Sequence, residues 1–263
     1  MSHVTASDLP AIGFISLGQG PRADLDQLHR RILRQIGCEA RIVWRHALDG
    51  LSLEEVEDLV ARDGEPAIFS NIRGATGGPG PLGDGWTSRW LGRDRLIPFV
   101  QACIEDLERN EGVSVTTACA AEEFPVASFQ SQRPVIMPAG ALAAYAQALA
   151  VTKPAATIGL LVYGDRQREQ QMQAWTLKPW SGQLTFAFSG NGRDFDAAVA
   201  DLKPHAPDLV LVWAYGAGVA DDGGLAQLSS RLGAPVILPA AAALGLAANL
   251  LLPVDRPVEG GRG

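Results

Sequence analysis

Cysteine is scarce in this chain of 263 residues: Cys38, Cys103 and Cys119 occur, and none follows. No C-x2-C spacing exists, so a thiolate metal site is excluded, and an odd, scattered set of thiols fits reduced side chains rather than a disulfide framework. The histidines are few as well. His3, His29, His46 and His205 recur in no metal-ligand or triad pattern and read as non-catalytic. Positive charge is in deficit: 22 Lys and Arg stand against 29 Asp and Glu, a net −7. Without a basic stripe, nucleic acid is excluded as a partner. The opening "MSHVTASDLP" is polar and lacks the apolar core of a signal peptide. The most apolar stretch, "APVILPAAAALGLAANLLLP", is broken by Pro239 and closes an α/β pattern, so it reads as strand, loop and helix rather than a membrane span. These absences lead us to expect a cytoplasmic protein with no membrane partner.

What is present is ample apolar material, 47% of residues, with 19% charged, enough for a large core. Strand-length apolar runs alternate with helical patterns. "AIGFISL" reads as a buried strand. The helix "ADLDQLHRRILRQIG" follows, with Leu25, Leu28, Ile32 and Ile36 on one stripe and Gly37 as its stop. In "LSLEEVEDL" Ser52 and Glu55 have capping-box spacing. "PAIFSNI" reads as a third strand, and the glycine-rich stretch from Arg73 to Gly85 as a flexible connection. The pattern restarts at "ATIGLLVYG". Two βα series thus lie end to end, with no convincing residue-level repeat between them. The fold class is α/β: two pseudo-symmetric, Rossmann-like parallel-sheet domains with a cleft between them. The division falls at 1–135 and 136–263, and the last helix is free to pack back on the N-terminal domain.

Ligands of open parallel sheets sit beyond the carboxyl ends of the strands. Those ends carry Gly18–Arg22, Ser70–Asn71, Thr117–Ala121, Tyr163–Gly164, Trp213–Gly216 and Pro239–Ala240. The stretch "GQGPRAD" is neither G-x-G-x-x-G nor a P-loop. Its glycines, with Arg22 beside a helix start, suit a small anion, a carboxylate before a phosphate. Cys119 ends a strand facing the expected cleft. A thiol there exchanges a proton with a carbon acid once nearby dipoles stabilise the thiolate. Cys103 and Cys38 read as packing.

"IGFISLGQGPRADL", "ALDGLSLEEVEDL", and a strand ending in Cys before "EFP" together resemble the AroM family, and the order holds through "PDLVLV" and "APVILPAAAALGLAANLL". That family is similar to the aspartate/glutamate racemase superfamily. The resemblance implies an Asp/Glu racemase-like fold, no cofactor, and two cysteines, one per domain, on opposite faces of the substrate's α-carbon. Cys119 matches the first. Where the second belongs, Ala214 stands between Trp213 and Tyr215, and Ala120 and Ala121 replace the polar residue that follows the first thiol. Two-thiol racemisation is therefore excluded unless another acid serves, and Tyr215 is the candidate for that second face. The resulting expectation is an isomerase or a decarboxylase-like lyase, acting beside the carboxylate of a small organic or amino acid. Cys119 is its acid/base, and Gln19, Gly20, Arg22, Ser70, Asn71 and Tyr163 bind the substrate. The alternative is a catalytically inactive, small-carboxylate-binding or regulatory protein. No metal is expected, and the helix "GALAAYAQALAV" is the candidate surface for a homodimer.

Overall fold

The structure, a computed structural model, describes residues 9–73, 85–216 and 223–251. The first half runs β1 (Ala11–Ser16), α1 (Ala23–Gln35), β2 (Arg41–His46), α2 (Leu53–Glu57), β3 (Ala67–Arg73), β4 (Trp86–Gly92), α3 (Ile97–Glu111), β5 (Val115–Cys119), β6 (Val135–Ile136) and α4 (Pro138–Thr152). The second runs β7 (Thr157–Leu161), α5 (Asp165–Thr176), β8 (Thr185–Ser189), α6 (Phe195–Leu202), β9 (Leu209–Val212), α7 (Gly224–Leu232), β10 (Val236–Ile237) and α8 (Pro239–Leu251).

Two parallel sheets result, in the orders β2-β1-β5-β6 and β8-β7-β9-β10. The orders match strand for strand: β1 answers to β7, β2 to β8, β5 to β9 and β6 to β10. This correspondence reveals a repeat that inspection of the sequence alone missed. "PVIMPA" (134–139) and "PVILPA" (235–240) each carry a short edge strand into a helix that starts on proline. Pro138 and Pro239 stand at the helix start, where a missing N–H costs nothing. Likewise "AIG" in β1 and "TIG" in β7 occupy equivalent positions.

The sheets are covered by an exchange of helices. In the first sheet, Ala11 and Ile15 face Val100, Ile104 and Leu107 of α3. On its other face, Ile12, Phe14 and Val115 meet Leu25, Leu28 and Ile32 of α1, together with Ala240, Ala243, Leu244 and Ala247 of α8. In the second sheet, Ile158, Leu160, Leu209 and Leu211 pack against Ala139, Leu142 and Ala146 of α4. Each half's last helix therefore lies on the other half's sheet, and α4 and α8 pack on each other between them. All six side chains of β1 are buried, as a strand covered on both faces requires.

Two expectations need correction. The run 66–72 does not join the parallel series. As β3 it pairs antiparallel with β4, a strand the sequence reading lacked, in a separate two-stranded ribbon. Ile68, Ile72 and Leu91 sink into the first core, while the opposite face carries Phe69 and Trp90 stacked edge to face. This one-sided burial distinguishes the ribbon from a central parallel strand. Ile36 leaves the α1 stripe: it follows the last helical turn and is exposed, while Leu33 and His29 are buried beside Leu25, Leu28 and Ile32. The glycine-rich connection, residues 74–84, lies outside the described residues. The Ser52–Glu55 capping box is present.

Candidate active site

β1 and β5 are neighbours in register, so Ser16 and Cys119 stand side by side at their carboxyl ends. The chain then turns over this edge through residues 17–22. Two glycines make the turn fit. A Cβ on Gly18 would lie 2.1 Å from the backbone oxygen of Asn71, and one on Gly20 would lie 1.9 Å from the imidazole of His46. Backbone and ring occupy that space, so no larger residue fits without moving them.

The polar groups of this loop serve the fold more than the sequence suggested. The Gln19 amide nitrogen donates to the carbonyls of Leu48 (3.2 Å) and Leu51 (3.1 Å), and its oxygen accepts from the Arg73 N–H at 2.7 Å. The Gly20 N–H donates to Asp49 at 2.9 Å. The Ser70 hydroxyl donates to the Leu17 carbonyl (2.6 Å), and the Asn71 side-chain oxygen accepts from Ser88 (2.9 Å). The bonds of Gln19, Gly20 and Ser70 tie the loop to β3 and to the turn after β2, and the Asn71 side chain ties β3 to β4.

Arg22 differs. Its Nε and one terminal nitrogen donate to Asp24 at 2.9 and 2.7 Å, a forked pair at the start of α1. Burial works against charge on Asp24, but the bonds from Arg22 outweigh it and hold the carboxyl below its usual range. The guanidinium charge is felt at Cys119, Tyr215 and His29.

Cys119 sits partly buried among the residues that join β5, α1 and α8. Tyr215, arriving from the end of β9 in the other half, faces its sulfur, and each shifts the other's titration. The Tyr215 hydroxyl and Nε2 of His29 share a hydrogen bond of 2.9 Å. His29 is buried, stacked on Trp44 at 5.0 Å and beside Phe14 at 4.2 Å, and its Nδ1 has no partner. A chain of thiol, phenol and imidazole therefore runs through the buried region beneath α1 and α8. Desolvation dominates all three. Burial pushes the Cys119 thiol up to about 12, against the opposing pull of Tyr215 and Arg22. It raises Tyr215 well above its ordinary value and lowers His29 to about 3. The stabilised thiolate expected from the sequence is thus reversed: the site holds the proton on sulfur.

The sequence reading passed over His29. Its signal was position: residue 29 lies four after Leu25 and three before Ile32, on the apolar stripe. Tyr163 follows β7; its N–H donates to Gln167 (2.8 Å) and its ring lies against Gly192, in the second half. Cys103 is packing, with burial raising its thiol to about 11. Among the described residues, no group of three His, Cys, Asp or Glu could hold a metal ion, and no helix is long and apolar enough to cross a membrane.

Twin parallel sheets of one strand order, meeting at their carboxyl ends around a cysteine, define an α/β protein of the Asp/Glu racemase-like fold. Among the solved structures that share it are a decarboxylase and a racemase. Unliganded arylmalonate decarboxylase aligns with TM-score 0.53 at 12% identity, covering 95% of this chain and 97% of its own. Allantoin racemase from Klebsiella pneumoniae aligns with TM-score 0.53 at 13% identity, with the same coverage. The chain belongs to the AroM family: the family model described as AroM protein matches residues 12–251. None of the curated proteins compared with the chain matches it.

Proposed function

We propose that this protein is a cofactor-independent enzyme acting at the carbon beside a carboxylate, with Cys119 donating a proton to that carbon. A decarboxylase-like lyase fits better than a racemase. The observation that carries the reading is the placement of Cys119 at the end of β5, in one cluster with Tyr215 from the other half and within the field of Arg22. A racemase needs a second acid/base on the opposite face, and Ala214 supplies none. Loss of CO2 needs one donor. The bond from the α-carbon to the departing carboxylate breaks, and its electron pair remains as an enediolate on the retained acid. The S–H bond of Cys119 then breaks and its proton goes to the α-carbon. The thiolate left behind is strongly basic, is hydrogen-bonded by the Tyr215 hydroxyl, and takes its replacement proton from water. Arg22 holds the retained carboxylate, and Tyr163 is its counterpart from the second half. A racemase and a decarboxylase among proteins of this fold support the chemistry in kind.

The test is turnover of a panel of substituted malonates and α-amino acids in D2O, read as CO2 release and deuterium at the α-carbon. Cys119→Ala should lower turnover of an accepted acid by at least about 100-fold, the scale of a lost general acid. Equal turnover by the variant removes Cys119 from the chemistry. Thermal stabilisation by a carboxylate without any turnover favours the inactive binding protein, which Ala120, Ala121 and Ala214 also motivate.

A further inference from the structure

Trp213 and Tyr215 point to opposite sides of the strand end. Tyr215 joins the core beneath α1 and α8, and Trp213 joins the core beneath α4 and α5. On the Trp213 side lies a cavity of about 600 Å3, within the range that takes a small molecule. The loop 63–67, Arg93 and residues 122–123 wall it from the first half, and α5 and Trp213 from the second.

Its wall is acidic, and part of that charge is unanswered. Glu65 pairs with Arg95 at 2.8 Å, Glu123 with Lys178 at 2.6 Å, and Arg93 with Asp94 at 2.8 Å. Asp63, Glu122 and Glu169 line the same space with no ion pair among the described residues. Glu122 touches only amides: it accepts from Gln167 Nε2 at 3.1 Å and from backbone groups. Two further lining residues carry buried polar atoms without a partner, the indole N–H of Trp213 and the amide oxygen of Gln171. They are 2% and 5% exposed. A native interior leaves few such atoms orphaned. A carboxylate and an amide oxygen call for N–H donors, and an indole N–H calls for an oxygen.

We propose that this cavity binds a small organic cation, an ammonium or guanidinium group with a neighbouring oxygen, through Glu122, Gln171 and Trp213. The site is separate from the chemistry at Cys119, and its test reads binding alone. Calorimetric titration of the full chain uses ethanolamine and 2-guanidinoethanol as probes, with ethylene glycol and acetate as controls. Both cations should bind and both controls should not. Burial raises the Glu122 carboxyl to about 7, so cation affinity should rise by about tenfold from pH 6 to pH 8 as it ionises. The other charged groups facing this space are Asp63, Glu65, Glu123, Glu169, Arg93 and Lys178. Glu122→Gln should weaken binding at least tenfold at pH 8 and flatten the pH profile. Glu169→Gln, on the exposed side of α5, leaves the fold untouched and should weaken binding several-fold at low salt. No binding by either cation at pH 8, or equal binding by Glu122→Gln, overturns the assignment.

Discussion

Cys119 keeps its proton because its surroundings offer too little to replace water. The accessible consequence is slow chemistry at neutral pH. Alkylation by iodoacetamide, followed by mass spectrometry, should be slow at pH 7.5 and climb about tenfold per pH unit to beyond pH 10, because the thiolate is the reacting form. A fast, pH-independent reaction would contradict the buried thiol. Removing the Tyr215 hydroxyl (Tyr215→Phe) leaves His29 with both ring nitrogens unpartnered, and should cost about 1–3 kcal/mol in urea denaturation. The buried His29 and Glu122 act on stability in opposite senses. Between 6.5 and about 3 the unfolded chain binds a proton that His29 refuses when folded, so stability falls with acidification. Between about 7 and 4.5 the folded chain holds a proton on Glu122 that the unfolded chain lacks, so stability rises with acidification. The two offset each other over roughly pH 4.5–6.5. Glu122→Gln should unmask the histidine, giving a loss of up to about 1.4 kcal/mol per pH unit there; a profile as flat as the parent's would refute the pairing. At this scale the sequence spoke through position. Cys119 and Tyr215 were read at strand ends and meet there. The role of Gln19 was illegible, because the carbonyls it binds belong to Leu48 and Leu51, far along the chain.

Among the elements, the loop after β1 and the β3–β4 ribbon depend on each other. The Gln19 N–H donates to the Asn71 carbonyl at 3.2 Å, and Ser70 reaches back to Leu17. Gly18→Ala drives a methyl group into that carbonyl and should cost on the order of 1–3 kcal/mol or more, read as a lower midpoint in thermal denaturation. Wild-type stability in that variant would mean that the ribbon yields freely. The parallel strands were legible because unbroken apolar runs occur where both faces are covered. β4 was not: "WTSRWLG" mixes polar and aromatic residues, and its partner lies beyond a glycine-rich connection. α8 was legible as a helix, but its destination was not, since an alanine-rich surface fits either sheet. Leu244 is wholly buried against the first sheet, and Leu244→Ala should cost about 2–5 kcal/mol.

Over the whole molecule, the exchange of α4 and α8 binds the two halves into one cooperative unit. A single calorimetric unfolding transition is expected, and two resolved transitions would show that the halves are stable alone. The sequence reading found two βα series but no repeat, because similarity confined to a strand edge and a helix start is diluted by the divergent residues between. The exchange also has a consequence in time. During synthesis, β1, α1 and β5 leave the ribosome long before α8, so one face of the first sheet is covered by α1 alone until nearly all of the described chain has been made. The part of that apolar surface which α8 will cover is then open to chaperones or to neighbouring nascent chains. A ribosome stalled before residue 239 would hold a first half that is assembled but still lacks the helix that seals it.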